Sequence, residues 1–364
     1  MARAVELAAR GDWRTGRNPR VGAVLVRDGA LLSEAWHEES GGAHAEAAAL
    51  EALRAGGDDA RGATLYVTLE PCGPFQGKRT PPCVEALLEA GLTRVVVAHS
   101  DPNPHVAGRS LERLRAAGVE VVSGVLERAA RRLNGPFGKW MTLGVPYVTA
   151  KWAMSLDGKI AARGGDSRWI SGPASRRRAH ALRGEVEAVV IGSQTALQDD
   201  PLLTRRDAPG RDPLRVVVDG RARLPLDGQL LRTAAVHPLL VCVGEAVSVE
   251  RLRALQERGA QTCVLPPDPR GGLDLEALLA ELARRDVRHL LLEGGGRLCG
   301  AFLAQGLVDR VVCFLAPKLI GGDGAPGPFG GQGVDAVARA LPLEGLTAEP
   351  CGEDLLISGY LRVY

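Results

Sequence analysis

Long hydrophobic runs, a charge excess of one sign and a disulfide framework are all missing from this sequence of 364 residues. The longest apolar runs, such as 188–191 and 239–243, are far shorter than the roughly 20 residues that a bilayer-spanning helix needs. The N-terminal segment MARAVELAAR carries charges throughout and lacks the apolar core of a signal peptide. We therefore expect no membrane partner, and we predict a reducing cytoplasmic location.

The charges and the cysteines exclude two further classes of protein. Lys and Arg total 45 against 43 Asp and Glu, which leaves a formal net charge of +2. Because nucleic-acid binders usually concentrate basic residues on one surface, this balance argues against a nucleic-acid partner. The seven cysteines are scattered and odd in number, so they do not indicate a small secreted disulfide-bonded domain.

The length suits two domains better than one. Both halves alternate segments typical of strands and of helices, which predicts sheets layered with helices in an α/β fold. We place the boundary near Leu143 to Pro146, with one domain over residues 1–143 and a second over 146–364. Asp28-Gly29 is predicted to be a hairpin turn, and the Gly/Pro-rich segment 321–333 is predicted to be a loop.

Three short segments of the first half contain residue types that bind zinc. His44-Ala45-Glu46 opens a predicted helix, Pro71-Cys72 follows a strand, and Pro82-Cys83 opens the next helix. One histidine and two cysteines can hold Zn²⁺ while the fourth position stays open for water, whose pKa zinc lowers toward roughly 7. An H-x-E segment followed by a P-C pair is also the pattern of zinc nucleobase deaminases. We predict His44, Cys72 and Cys83 as the ligands.

Glu46 is predicted to carry a proton beside the zinc site without binding the metal. Each element has a plainer explanation by itself, since an H-x-E segment occurs by chance and a lone cysteine is more often a small buried hydrophobe. The order of the elements along the chain favours the metal site. The remaining cysteines are interpreted as interior residues: Cys242, Cys263, Cys299, Cys313 and Cys351.

Several motifs resemble those of a known enzyme family, and they are spread over nearly the whole chain. In chain order they are Asn18-Pro19-Arg20-Val21-Gly22, Thr68-Leu69-Glu70-Pro71-Cys72, Arg79-Thr80-Pro81-Pro82-Cys83, Asp101-Pro102-Asn103-Pro104, the stretch KWAMSLDG at 151–158, Asp199-Asp200-Pro201, Glu293-Gly294-Gly295 and Ala316-Pro317-Lys318-Leu319. Together they are similar to the bifunctional diaminohydroxyphosphoribosylaminopyrimidine deaminase and 5-amino-6-(5-phosphoribosylamino)uracil reductase family of riboflavin biosynthesis.

This resemblance implies a cytidine-deaminase-like three-layer domain followed by a dihydrofolate-reductase-like α/β domain. The implied first reaction is the zinc-dependent hydrolytic deamination of 2,5-diamino-6-(5-phosphoribosylamino)pyrimidin-4-one. The implied second reaction is the NADPH-dependent reduction of the ribosyl group, which gives 5-amino-6-(5-phosphoribitylamino)uracil. The expected cofactors are Zn²⁺ and NADPH. The expected partners are this small-molecule substrate and further copies of the chain, in a homo-oligomer that is a dimer or a tetramer.

The resemblance also implies the site residues of the second domain. The cofactor contacts would be Ala153, Trp169, Thr195, Asp199, Gly295 and Gly296. The substrate contacts would be Ser167, Arg183, Leu203, Arg206 and Glu293, with Asn18 in the deaminase domain. Guanidinium groups match phosphate oxygens, although the two arginines could be solvated surface charges and Asn18 could serve its Asn-Pro turn.

The Gly-rich turn after the predicted strand 289–292 is a weak signal of a phosphate site by itself. Glycines at a strand-to-helix turn let backbone amides approach a phosphate, but a tight structural turn explains them almost equally well. Cys299 also stands where the third glycine of a Rossmann fingerprint belongs. Only the family resemblance favours a cofactor here.

Two departures from the family pattern concern the deaminase site. The family usually has a Ser-His pair after the first zinc cysteine, where this chain has Gly73-Pro74. The segment before Cys83 is also longer than usual and contains residues 75–78, FQGK. The family's second asparagine in its Asn-Pro-Asn stretch is Arg20. We expect the zinc ligands to be retained and the substrate contacts of these segments to differ.

Two other functions compete with the bifunctional enzyme. A deaminase whose second domain only binds or assembles is disfavoured by the retained stretches 151–158 and 293–296. A tRNA-editing deaminase with a C-terminal binding module is disfavoured by the near-neutral charge and by the long segment between Cys72 and Cys83. Tight NADPH binding would separate the bifunctional enzyme from the first alternative. Ammonia release from a free pyrimidine nucleotide, and none from tRNA, would separate it from the second.

Overall fold

A computed structural model describes residues 1–74, 82–104 and 106–364. Residues 75–78 and the motif residues 79–81 lie outside this description, as does His105. The chain divides into two compact units, which we call the N-terminal unit (residues 1–144 with 363–364) and the C-terminal unit (residues 145–362). None of the described helices is long and apolar enough to cross a membrane.

The N-terminal unit is a mixed sheet with helices on both faces. Its described helices are α1 (Ala2–Ala9), α2 (Ala45–Ala55), α3 (Cys83–Glu89), α4 (Arg109–Ala116), α5 (Glu127–Leu133) and α6 (Gly135–Leu143). Its described strands are β1 (Gly22–Arg27), β2 (Ala30–Trp36), β3 (Thr64–Val67), β4 (Arg94–Val97) and β5 (Glu120–Ser123). They pair in the order β2-β1-β3-β4-β5, with β1 antiparallel to β2 and β3, and with β3, β4 and β5 parallel.

Alternation along β1 explains the three layers of this unit. Ala23 and Leu25 pack into the core that contains α2, α3 and α4, whereas Val24 packs with Leu7 of α1, because successive strand residues face opposite sides. Gly22 lets α1 approach closely, since a Cβ there would lie 2.1 Å from the carbonyl oxygen of Ala4. The predicted hairpin turn is confirmed, with left-handed φ values of 52° and 78° at residues 28 and 29.

The C-terminal unit contains a larger sheet that is mostly parallel. Its described strands are β6 (Tyr147–Ser155), β7 (Ala188–Gly192), β8 (Leu214–Val218), β9 (Leu239–Gly244), β10 (Gln261–Leu265), β11 (His289–Glu293), β12 (Arg310–Ala316), β13 (Glu344–Cys351) and β14 (Asp354–Tyr360). Its described helices are α7 (Pro173–Gly184), α8 (Ser193–Asp199), α9 (Gln229–Arg232), α10 (Val249–Glu257), α11 (Leu275–Arg284) and α12 (Gly296–Ala304). The strand order is β10-β9-β8-β7-β11-β6-β12-β14-β13, and only the pairings of β14 are antiparallel.

Both faces of this sheet are covered, which explains its apolar central strands. Along β7, Val189 and Ile191 enter one core and Ala188 and Val190 enter the other, and all four are fully buried. Parallel strands buried on both faces are near-continuous apolar runs. Their carboxyl ends meet at one edge of the sheet, where ligands bind in open α/β folds.

Two parts of the fold were not predicted from the sequence. Helix α6 starts at Gly135-Pro136, a pair that resembles a helix stop, but proline is tolerated in the first helical turn. The hairpin β13–β14 was missed because β13 is an exposed edge strand that contains Glu349 and Pro350, residue types depleted in strands. The predicted loop 321–333 contains no helix or strand among its described residues, as expected.

Candidate functional site

The three predicted zinc ligands come together in the N-terminal unit. His44 precedes the first residue of α2, Cys72 follows β3, and Cys83 is the first residue of α3. Nδ1 of His44 lies 3.3 Å from Sγ of each cysteine, and all three donor atoms lie within 4.8 Å of one another. Tetrahedral zinc with ordinary bond lengths separates nitrogen and sulfur donors by about 3.6 Å. The donor set therefore fits Zn²⁺ in both chemistry and spacing.

Glu46 lies in the first turn of α2, beside this donor set, and is only 4% exposed. Burial and then the negative charge of Cys72 raise the pKa of Glu46 to about 7. Burial that raises the pKa of a carboxyl group makes it a better proton acceptor, which suits a general acid–base group. Glu46 lies next to the predicted metal ligands, and its role as proton carrier stays a prediction.

Asn18 is connected to the metal centre through a histidine that the sequence did not single out. Nδ2 of Asn18 lies 3.0 Å from Nε2 of His37, and Nδ1 of His37 lies 2.9 Å from the carbonyl oxygen of Ala43. The rings of His37 and His44 meet edge-to-face with centroids 5.7 Å apart. Burial lowers the pKa of His37. His37 has no cysteine at ligand spacing, so no sequence pattern marks it.

Two of the predicted substrate residues of the C-terminal unit are bound to each other. Arg183 on α7 donates from Nε to Oε1 of Glu293 at 2.6 Å and from Nη2 to Oε2 at 2.9 Å. Nζ of Lys151 lies 3.5 Å from Oε2 of the same carboxylate. Burial alone would raise the pKa of Glu293, but the charges of Arg183 and Lys151 outweigh it and lower that pKa to about 2. Only 13% of the Arg183 side chain is exposed, so the alternative of a solvated surface arginine is wrong for Arg183, whereas Arg206 is exposed.

The loop that carries two further predicted substrate residues, Leu203 and Arg206, adjoins this cluster. Nη1 of Arg183 donates to the carbonyl oxygen of Thr204 at 3.0 Å. The flanking Leu203 and Arg206 have φ values of 59° and 55°, a left-handed backbone that is unfavourable for residues other than glycine. Such strained positions often occur at functional sites. The sequence carried no signal of this backbone.

The predicted cofactor residues lie within β6 or in the segments that follow β6, β7 and β11. The N–H of Gly295 donates to Oγ1 of Thr195 at 3.0 Å. Trp169 is 60% exposed, shares a turn with Ser167, and lies under the guanidinium of Arg176 at 4.7 Å. The two remaining members are Ala153, on the same face of β6 as Lys151, and Asp199, whose carbonyl oxygen accepts from Arg168.

The Gly-rich turn also has a packing role. A Cβ at Gly296 would lie 2.6 Å from the carbonyl oxygen of Gly327, and one at Gly300 would lie 1.9 Å from that of Gly330. The N–H of Gly330 donates to the carbonyl oxygen of Gly296 at 2.7 Å. These glycines let the predicted loop 321–333 lie directly on α12. Gly295 therefore contacts Thr195, a predicted cofactor residue, whereas Gly296 and Gly300 allow close packing against the loop.

Comparisons with known proteins bear on both units. The family model of the RibD C-terminal domain matches residues 146–357, and that of the cytidine and deoxycytidylate deaminase zinc-binding region matches residues 1–99. The riboflavin biosynthesis protein RibD of Aquifex aeolicus is 41% identical over 358 residues, which cover 98% of this chain and 96% of that protein. The chain belongs to the RibD family. The RibD of Escherichia coli is 40% identical over 339 residues, covering 89% of this chain and 88% of that protein.

Solved RibD structures have the same fold as this chain. A Thermotoga maritima protein described as a diaminohydroxyphosphoribosylaminopyrimidine deaminase and 5-amino-6-(5-phosphoribosylamino)uracil reductase superposes with a TM-score of 0.79 at 35% identity, covering 99% of this chain and 97% of its own. Acinetobacter baumannii RibD superposes with a TM-score of 0.78 at 36% identity, with the same coverage. The expected fold, a cytidine-deaminase-like domain followed by a RibD reductase domain, is confirmed, as is the family resemblance.

Proposed function

We propose that this RibD protein deaminates 2,5-diamino-6-(5-phosphoribosylamino)pyrimidin-4-one in its N-terminal unit and reduces the ribosyl group of the product in its C-terminal unit. In this assignment the deaminase comprises residues 1–143 and the reductase residues 146–364. The observation that carries the proposal is the convergence of His44, Cys72 and Cys83 beside the buried Glu46. The test is a two-step assay that follows ammonia release from the diaminopyrimidine nucleotide and then NADPH oxidation, with metal analysis of the same sample.

In the proposed deamination, His44, Cys72 and Cys83 hold zinc, which when bound lowers the pKa of water at this position. Glu46 accepts a proton from the attacking water and passes it to the departing amino group. A C–O bond forms at ring carbon 2 as the C–N bond breaks, and ammonia leaves. Asn18 contacts the pyrimidine ring through its side-chain amide.

In the proposed reduction, cationic side chains of the C-terminal unit hold the phosphoribosyl group. Arg183 and Arg206 bind phosphate oxygens, and Glu293 orients Arg183 and Lys151 toward the sugar. Ser167 and Leu203 complete the substrate contacts. When bound, NADPH would supply a hydride to ribose carbon 1 of the ring-opened imine, whose nitrogen would take up a proton from water. The task of the protein's own residues is then to align donor and acceptor.

The residues proposed to hold NADPH have suitable chemistry. Trp169 offers an exposed aromatic surface with Arg168 and Arg176 beside it, and α12 directs its N-terminal N–H groups toward the strand ends. Ala153, Thr195, Asp199, Gly295 and Gly296 complete the proposed cofactor contacts. We expect catalytic efficiency with NADPH to exceed that with NADH, and equal efficiencies would contradict this preference.

Two statements about partners and location remain predictions. A homo-oligomer, as a dimer or a tetramer, is supported by exposed apolar side chains near the edge strand β13, among them Val337 at 91% and Leu346 at 60% exposure. Patches of this kind often mark protein interfaces. Sedimentation of the wild-type chain and of Leu346→Asp would test this, because the charged variant should shift toward monomer. The cytoplasmic location stays a prediction from the sequence.

A further inference from the structure

The side-chain amide of Asn18 has a donor end and an acceptor end, so its orientation decides what it can bind. Its Nδ2 faces Nε2 of His37 at 3.0 Å, and Nδ1 of His37 faces the carbonyl oxygen of Ala43 at 2.9 Å. Because a carbonyl oxygen can only accept, Nδ1 of His37 carries the ring proton. Because a neutral imidazole carries one ring proton, Nε2 then carries the lone pair.

That lone pair fixes the orientation of the Asn18 amide. In the observed orientation an N–H of Asn18 donates to Nε2 of His37, whereas the flipped amide would place Oδ1 against a second acceptor. His37 is only 3% exposed, so water cannot compensate for the loss of this hydrogen bond. The amide therefore directs Oδ1 and its second N–H away from His37, in one defined order.

The segment that carries Asn18 is also held through its backbone. Oδ1 of Asn134 accepts from the N–H of Arg20 at 2.7 Å, and Nδ2 of Asn134 donates to the carbonyl oxygen of Arg20 at 2.9 Å. Asn134 is 4% exposed. On the other side, Ala43 directly precedes the ligand His44, so the hydrogen bonds connect Asn18 to the metal centre itself.

We propose that His37 is a positioning residue of the deaminase, which presents Oδ1 of Asn18 to a ring N–H and its second N–H to a neighbouring ring carbonyl. A pyrimidinone with an N–H beside a C=O is the complement of this pair. A ring with an amino group in place of that carbonyl presents a donor to the Asn18 N–H and an unprotonated nitrogen to Oδ1. We expect such a ring to bind less tightly. This inference rests on the proposed function. It adds that His37, through Asn18, determines which edge of the pyrimidine ring the deaminase recognises.

A double-mutant cycle on the full-length zinc-loaded enzyme tests the proposal. His37→Phe keeps a ring but removes both nitrogens, and we expect kcat/KM for deamination to fall by roughly 10- to 100-fold, as for other partners behind a metal site. Zinc content and the reduction rate should be unchanged. His37→Gln should recover part of the loss, because its Oε1 can accept from Asn18. In an Asn18→Ala background, His37→Phe should cost less than about 3-fold, because the two residues act through one contact.

His99→Phe is the matched control, since His99 is an equally buried histidine of the same unit and makes no contact with Asn18 among the described hydrogen bonds. It should leave deamination unchanged at pH 7.5. Zinc loss in His37→Phe would instead assign His37 to support of His44. The proposal would also be overturned if His37→Phe lowered kcat/KM as much in the Asn18→Ala background as in the wild-type enzyme.

Histidine nitrogen NMR gives a readout that is independent of turnover. We expect His37 to be the neutral tautomer with a proton on Nδ1 and none on Nε2, and a proton on Nε2 would overturn the proposal. If the wild-type enzyme released no ammonia from the diaminopyrimidine nucleotide, the proposed function would fail. A wild-type enzyme that deaminates normally while the cycle is additive would refute only the role of His37.

Discussion

The two candidate sites differ in what their polar groups do before any ligand binds. In the N-terminal unit, one nitrogen and two sulfur donors point at one another and enclose a space of the size of a metal ion. In the C-terminal unit, the carboxylate of Glu293 is already paired with Arg183 and Lys151. The first site is completed by an added cation, whereas in the second one carboxylate already offsets part of the positive charge of two cations.

This difference follows from the chemistry of each ligand. Thiolates repel one another and need a metal ion to stabilise them, so their arrangement makes sense only with zinc present. Buried arginine and lysine instead need a carboxylate, because an unpaired buried charge is costly. Two cations against one carboxylate leave an excess of positive charge for a phosphate. Removing one ligand should therefore abolish metal binding at the first site. Removing the carboxylate should destabilise the second site and leave its two cations without a counter-charge.

The largest effect is expected from Cys83→Ser. The serine hydroxyl is a poor zinc ligand, so zinc should fall from about one ion per chain to near zero, and deamination should be lost with it. Metal analysis and the ammonia assay measure both on one sample. Cys351→Ser, which changes a half-buried cysteine of the C-terminal unit, is the control and should retain zinc. Full zinc occupancy in Cys83→Ser would remove Cys83 from the ligand set.

Glu46→Gln should have the next largest effect, and only on one reaction. Glutamine keeps the shape of the side chain but cannot carry a proton, so deamination should slow by a factor on the order of 10²–10⁴. Zinc should remain, and reduction of the already deaminated intermediate should continue. Glu51→Gln, at an exposed position of the same helix, is the matched control. Near-normal deamination would exclude Glu46 as the proton carrier, and loss of reduction as well would mean that the two sites are coupled.

These two predictions rest on residues that the sequence already marked, whereas other contacts could not be predicted from it. The ligands lie in short motifs at the ends of predictable elements, so their residue types carried the information. The contacts of Asn18 with His37 and of Arg183 with Glu293 join residues 19 and 110 positions apart. They depend on strand order and helix placement, which no local pattern encodes. The left-handed backbone at Leu203 is likewise imposed by tertiary packing.

Glu293→Gln should leave Arg183 and Lys151 without their carboxylate partner. We expect the free energy of unfolding at pH 7 to fall by about 3 kcal/mol, as when one partner of a buried ion pair is removed. The KM for the phosphoribosyl substrate in reduction should change as well. Glu281→Gln, which removes a buried carboxylate from the outer helix α11, should leave that KM unchanged. A Glu293→Gln variant with wild-type stability would show that the pair contributes little.

The same pair predicts a pH dependence. The pKa of Glu293 is about 2 in the folded chain against an ordinary value of 4.5, so the unfolded chain takes up this proton first as the pH falls. The stabilisation is complete above pH 4.5 and is lost as the pH falls toward 2. The stability difference between wild type and Glu293→Gln should therefore shrink between pH 5 and pH 3, as measured by urea unfolding. A constant difference would contradict the lowered pKa.

The smallest expected effect compares one histidine from each unit. Burial lowers the pKa of His99 to about 4, and burial together with the charges of Arg183 and Arg206 lowers the pKa of His180 to about 4. The values are similar but the causes differ, because two arginines follow burial as the main causes at His180, whereas Arg131 is a lesser cause at His99. A phosphate bound by the two arginines would oppose their effect and favour the charged imidazolium.

Ribose 5-phosphate should therefore raise the pKa of His180, by about half a unit to one unit, and leave that of His99 unchanged. The measurement is an NMR titration of the histidine ring protons from about pH 3 to about pH 7, which brackets a pKa of about 4, with ribose as the control that lacks the phosphate. Arg206→Ala should reduce the shift, because one of the two groups that hold the phosphate is gone. If both histidines shifted equally, the sugar phosphate would be acting on the whole protein. If neither histidine shifted, the positive charge around Arg183 would not bind a phosphate. The two units would then differ in that one holds a metal centre and the other an ion pair that only stabilises the fold.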